Sequence, residues 1–317
     1  MQTRENEVTN YAQQILGQVR KVVVGKDPVL LWVLAAILAR GHILLEDIPG
    51  VGKTTMALSF SRVLDLSDSR VQFTPDVLPS DVTGYSIPDP ATGELRYQSG
   101  AVLCNLFLAD ELNRATSRTQ SALLEAMEEG QVTVDGISHP LPKPFVVIAT
   151  QNPTGAAGTQ LLPDSQMDRF MVRLSLGYPS PKDEAAMVLN RQGGNPLHDL
   201  LPLLTREELV RLQDAVEDTY LRDTVVNYIV SLVNATRCHE EIQRGASPRA
   251  TLAVTAMSKA VARLRGRDYV IPADVKEVFA QTVAHRLVLS PKAEGRGRTA
   301  EMVLRNILES VPAPRLR

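Results

Sequence analysis

Residues 50–55 read Gly-Val-Gly-Lys-Thr-Thr and follow closely on the apolar run Ile43-Leu44-Leu45. This pairing constrains the chain more than anything else in it. A short buried strand has to run into a glycine-containing turn, and a helix has to start at about Thr54. Such a turn aims several backbone N–H groups at one point, and the helix amino terminus adds its positive dipole end there. Lys53 brings a full charge, and the Thr54 hydroxyl is a hard ligand suited to Mg²⁺. With Pro49 ahead of them, Gly50, Val51, Gly52, Lys53, Thr54 and Thr55 form a segment that fits the phosphates of a nucleoside triphosphate.

The usual phosphate-loop pattern, G-x-x-x-x-G-K-[ST], has a glycine where this chain has Asp47. Glycine there gives access to a backbone conformation that most residues avoid. Asp tolerates left-handed geometry better than most side chains, so the loop is expected to close with Asp47 in place.

A second apolar run, Leu106-Phe107-Leu108-Ala109, ends in Asp110-Glu111. A strand ending in two acids downstream of a phosphate loop is the Walker B arrangement. Asp110 would hold the metal's water shell, and Glu111 would polarise the attacking water as general base. A third run, Phe145-Val146-Val147-Ile148-Ala149-Thr150-Gln151, ends in Asn152-Pro153. Between the other two strands it would bring an amide to the γ-phosphate, but Asn-Pro also simply makes turns.

Hydrophobic periodicity predicts helices over 5–22, 27–40, 54–64 and 117–129, and strands near 42–46, 70–74, 105–109, 145–149 and 171–176. Alternation of the two implies an α/β fold with a mostly parallel five-stranded sheet covered on both faces. The loop, Asp110, Glu111 and Asn152 then all sit at carboxyl ends of strands, where such sheets bind ligands. Residues 85–103 and 131–144 interrupt the rhythm as insertions, the second with Asp135-Gly136 as a hairpin turn. After Pro179-Ser180-Pro181 the strands stop and the pattern is helical. The expected division is a nucleotide-binding domain over 1–180 and a small helical lid over 181–317. Ser247-Pro248 starts a helix that projects Arg249 from its first turn; a lone arginine there is equally an ordinary surface cation.

Composition closes off other classes. Net charge is −2 and aromatic residues are 4% of the 317, which supplies neither a basic footprint nor stacking platforms for nucleic acid. The longest apolar run, Val29–Ala39, is far short of the roughly 20 residues that span a bilayer, so no membrane insertion is expected. The polar, acidic start of the chain is unlike a signal peptide, and Cys104 and Cys238 stand apart. Both point to a cytoplasmic protein with free thiols.

Several segments together resemble the MoxR family of AAA+ ATPases. They are Leu44–Thr54, Gln72-Phe73-Thr74-Pro75-Asp76 through Gly84, Leu108–Ala115, Leu124–Gly130, Ala149–Pro153, Gln166-Met167-Asp168-Arg169-Phe170 and Gly245–Arg249. The resemblance implies an AAA+ core with a helical lid, ATP and Mg²⁺ as cofactors, and a homo-oligomeric ring, a hexamer, with nucleotide between subunits. It makes Arg169 an arginine finger, Asn152 the sensor 1 residue, Arg249 the sensor 2 residue and Val24-Gly25 the segment that meets adenine. It further implies a chaperone-like motor acting with von Willebrand A domain partners. A magnesium-chelatase-like motor subunit and a DNA translocase share the same branch.

Overall fold

The computed structural model describes residues 7–91, 93–152 and 162–315. Two helices open it, α1 (Glu7–Val22) and α2 (Asp27–Leu38). Strand β1 (Ile43–Glu46) then leads through the glycine turn into α3 (Lys53–Val63). Next come β2 (Asp68–Gln72) and a hairpin of β3 (Gly84–Pro88) and β4 (Leu95–Ser99). Strand β5 (Leu106–Asp110) is followed by α4 (Ser117–Glu129) and a second hairpin, β6 (Gln131–Val134) with β7 (Ile137–Pro140). Strands β8 (Val146–Gln151) and β9 (Val172–Leu174) complete the sheet.

The sheet has five strands in the order β2-β5-β8-β1-β9, and every pairing is parallel. Its internal strands β5 and β8 are buried at every position, as a parallel sheet covered on both faces requires. On β5, Leu106 and Leu108 enter one core while Phe107 and Ala109 enter the other. The first core continues through α1 and α2 into the later helices, so those helices pack on both regions.

Strand β2 lies two residues earlier than the predicted 70–74. It is an edge strand whose polar residues are paired by their backbone with β5. Phe73 has already left the strand to enter the second core, with its N–H on the Asp110 carbonyl at 2.8 Å. Both insertions are antiparallel hairpins. Asp135 and Gly136 have φ of 52° and 79°, the paired positive values of a tight two-residue turn. The hairpins meet where the Tyr97 and His139 rings stack, 3.7 Å between centroids.

Beyond Ser180, which caps α5 (Pro181–Arg191), come α6 (Arg206–Glu217), α7 (Asp223–Cys238), α8 (Pro248–Leu264), α9 (Pro272–Val283) and α10 (Ala300–Ser310). The expectation that strands stop here needs correction. Two short strands, β10 (Ile242–Arg244) and β11 (Val288–Leu289), pair antiparallel. Two or three residues are too few to register in a periodicity window. Among the described residues no helix is long and apolar enough to cross a membrane.

Candidate nucleotide site

Three strand ends converge. At the end of β1 the chain turns through Gly50 and Gly52, with φ of 84° and 96°. Nothing lies within 4 Å of where a Cβ would stand on either glycine, so the cradle they form is open. Gly52 caps α3, whose first residue is Lys53, followed by Thr54 and Thr55. Neither glycine position would accept a side chain without strain.

Lys53 is buried, and its Nζ donates to the carbonyls of Asp47 (2.6 Å) and Ile48 (3.2 Å) and to Asn152 Oδ1 (3.5 Å). Desolvation lowers its pKa, opposed by the nearby Asp47, Asp110 and Glu111 carboxylates. Asn152 turns its amide to Glu111, donating from Nδ2 to Oε1 at 3.0 Å. Glu111 sits in left-handed backbone (φ 54°), which turns it out of the strand. Its N–H donates to Thr150 Oγ1 at 2.8 Å. Arg114 Nη1 donates to Glu111 Oε2 at 2.7 Å, and this bond is the main cause that holds the Glu111 pKa below its ordinary value. Asp110 accepts from Thr150 Oγ1 (2.6 Å) and from Arg70 Nη2 (2.7 Å). Lys53, Asp110, Glu111 and Asn152 therefore form one connected group. Pro153, which followed Asn152 in the sequence reading, lies outside the described residues.

A divalent cation fits this group only together with phosphates. Among the described residues no cluster of three or more His, Cys, Asp or Glu could hold a metal. Thr54 and Asp110 are two oxygen donors, the complement that suits Mg²⁺ retaining waters and phosphate oxygens.

The reading of Asp47 needs correction. It is not among the residues with positive φ. Asp47 is buried, and its carboxylate is bonded to the connection that follows β9. Oδ1 accepts from Ser175 Oγ (2.9 Å) and Gly177 N (3.2 Å), and Oδ2 accepts from Leu176 N. Val24 and Gly25 lie nearby: Gly25 has a φ of 72°, a conformation that favours glycine, and it packs against the Asp183 carboxylate at the start of α5. Lys26 follows, with its Nζ on the carbonyls of Leu176 (2.6 Å), Gly177 (3.0 Å) and Tyr178 (2.8 Å).

Arg169 and Arg249 are elsewhere. Both pair with Glu128 at the last turn of α4, Arg169 Nε at 3.0 Å and Arg249 through Nη2. The neighbouring Met127 carbonyl contacts His42 Nε2 at 3.1 Å, and His42 precedes β1. The cluster is thus at the amino end of the sheet, opposite Lys53. Asp168 secures it, accepting from Arg286 Nη1 (2.6 Å) and Ser247 Oγ (2.8 Å), while Phe170 is fully buried.

Residues 42–172 match the family described as "ATPase family associated with various cellular activities (AAA)", and residues 234–307 match the AAA lid domain. The protein "Chaperone MoxR1" of Mycobacterium tuberculosis is 39% identical over 313 residues, covering 96% of this chain and 82% of that protein. The chain belongs to the MoxR family of AAA+ ATPases. YeaC of Bacillus subtilis is 45% identical to this MoxR-family chain over 296 residues, 93% of the chain and 92% of YeaC. A crystal structure of a candidate ATPase from Cytophaga hutchinsonii superposes with a TM-score of 0.91 at 34% identity, covering 99% of this chain and 98% of that one. The family assignment makes this a nucleotide-binding, chaperone-like ATPase with an α/β AAA domain and an AAA lid. Sequence reasoning missed Arg70, Arg114, Thr150, Lys26 and Glu128. Only Thr150 left a signal: it is the first polar residue after the apolar run Phe145–Ala149.

Proposed function

We propose that the chain hydrolyses ATP with Mg²⁺ as one subunit of a homo-oligomeric ring, a hexamer, and uses the cycle to remodel or assemble partner protein complexes. The observation that carries this reading is the connected path Lys53–Asn152–Glu111 at the carboxyl ends of β1, β8 and β5. It joins a phosphate-seeking cation to a carboxylate through one amide.

Lys53 and the amides of the glycine turn would hold the β- and γ-phosphates. Thr54 and Asp110 would hold Mg²⁺, which when bound supplies positive charge to the equatorial oxygens. Glu111 stays ionised and orients a water for in-line attack, with Asn152 fixing the carboxylate. Val24 and Gly25 would meet the base. Arg70 and Arg114, the arginines that reach this group from the same chain, are engaged by Asp110 and Glu111, whereas Arg169 and Arg249 lie at the far end of the sheet with Glu128. Both therefore act in trans on a neighbour's nucleotide, and a lone subunit hydrolyses poorly.

The chaperone role follows from the relative named "Chaperone MoxR1". Von Willebrand A domain proteins are the partners that the family resemblance suggests, and the cytoplasm is the compartment that fits two free thiols. The deciding experiment is a calorimetric titration with ATP and Mg²⁺. The unmodified protein gives heat and a Lys53→Ala variant gives none; equal heats from the two would overturn the site.

A further inference from the structure

The phosphate-loop pattern calls for glycine at position 47, and this chain buries a carboxylate there. All three donors to that carboxylate come from residues 175–177, the connection between β9 and α5. Gly177, with φ of 59°, lets two successive N–H groups point at one anion, a small backbone nest. The carbonyls of the same connection are held from the other side by the Lys26 ammonium. Residues 175–178 are thus gripped between the loop that carries Lys53 and the turn that carries Gly25. Asp47 also offers its own carbonyl to Lys53 Nζ at 2.6 Å. One residue is bonded to the phosphate-seeking lysine through its backbone and to the connection through its side chain.

We infer that Asp47 is a positioning residue that couples the phosphate loop to the connection at 175–178, and through it sets α5 and the helices beyond. The inference rests on the reading of Lys53 as the phosphate-binding lysine. When Lys53 turns to a phosphate oxygen, the Asp47 carbonyl loses its donor and the loop readjusts. A buried carboxylate with three donors transmits that shift, because breaking the contacts would leave a charge unsolvated. A glycine at 47 would have nothing with which to transmit it.

Asp47→Asn tests this, since the amide keeps the shape but turns an N–H₂ towards N–H donors. Ser175→Ala removes one donor and leaves the loop intact, which covers the case of a loop that fails to fold. Hydrogen exchange at Leu176 and Gly177 is followed without nucleotide, with ADP, and with a slowly hydrolysed ATP analogue plus Mg²⁺. ATP affinity and turnover are measured alongside. Both variants are expected to exchange faster at these amides and to lose their response to nucleotide. Asp47→Asn should keep ATP affinity within about tenfold while turnover falls by roughly tenfold or more, a kcat effect rather than a KM effect. Unchanged turnover with an intact exchange response would overturn the inference. So would loss of ATP binding with unaltered exchange, which would confine Asp47 to shaping the loop. If the unmodified protein binds no nucleotide, the proposed ATPase fails by itself. Exchange in the nucleotide-free arm still decides whether Asp47 holds the connection: unaltered exchange there overturns that too.

Discussion

Asn152 and Glu111 lie 41 residues apart in the chain and 3.0 Å apart in space, the amide of one donating to the carboxylate of the other. The bond depends on adjacent parallel strands ending at the same level, because β5 and β8 pair from Leu106–Val146 to Ala109–Ala149. The other end of the amide faces Lys53, so Asn152 bridges the lysine ammonium and the carboxylate.

Replacing Asn152 by Ala should therefore separate binding from chemistry. Lys53 keeps its carbonyl partners, so ATP affinity should change by only a few-fold. Glu111 loses the donor that fixes it, and turnover should drop by about 10²–10³, the usual effect of losing one preorganised polar group at a reacting centre. Steady-state kinetics beside equilibrium titration reads both. A parallel loss of affinity and rate would mean that Asn152 merely holds the loop together.

Arg114 gives a pH prediction. Its bond to Glu111 is the main reason that the carboxyl titrates below its ordinary value, and burial works in the opposite direction. In an Arg114→Gln variant the burial remains without the compensating charge, so the Glu111 pKa rises. The acid limb of the turnover profile should then move to higher pH, while the alkaline limb stays where it was. The sign is fixed: a depressed carboxyl keeps its charge until pH falls through its lowered folded pKa, and raising that pKa loses the charge sooner. A profile that drops uniformly without moving would show that Arg114 does not set the ionisation.

The placement of Arg169 and Arg249 on Glu128 predicts complementation between subunits. Arg169→Ala and Arg249→Ala should each bind ATP and scarcely hydrolyse it, with a loss for the finger on the order of 10³–10⁵. Mixing Arg169→Ala with Lys53→Ala subunits should recover turnover that neither has alone, because a Lys53→Ala neighbour lends its intact arginine to the other's intact loop. Recovery fails if the arginines serve their own chain's nucleotide. Glu128→Gln should leave both arginines free, so that half-maximal turnover is reached at a different protein concentration.

Much of this site was legible before any coordinates. The runs at 106–110 and 145–151 are apolar, each ends in a polar residue, and a parallel sheet puts such endings on one edge. Strand β5 ends at Asp110, within one residue of its predicted limit, and α4 spans the predicted 117–129. What was not legible depends on partners far away in the chain. Asp47 meets residues 128–130 positions later, and Glu128 meets Arg249 across 121. No local pattern encodes such separations, so Asp47 read as a tolerated defect when it is a strut. Arg249 read as a helix-start cation and, by the family resemblance, as the sensor 2 residue, and only the fold puts it beside Arg169 on Glu128.

Two histidines predict how stability changes with acid. His285 is buried, its Nε2 donates to the Phe170 carbonyl at 3.0 Å, and its Nδ1 has no partner. Burial first, and the adjacent Arg286 next, hold its pKa well below the ordinary 6.5. His42 accepts the Val147 N–H on Nδ1 and contacts the Met127 carbonyl through Nε2; part of the residue reaches solvent, yet packing around the ring lowers its pKa to about 4. In both cases the unfolded chain takes up a proton that the folded chain refuses. Stability is therefore complete above pH 6.5 and falls as pH drops below it, by at most about 1.4 kcal/mol per pH unit for each histidine. For His42 the loss ends near pH 4. Glu111 contributes in the same direction, but only as pH falls below about 4.5, so its share is separable. Urea unfolding of a His42→Gln, His285→Gln double variant should give a lower midpoint at pH 7.5 and a flatter decline between pH 6.5 and 5 than the unmodified protein. Parallel declines in the two proteins would mean that both rings take up their protons without leaving the folded state.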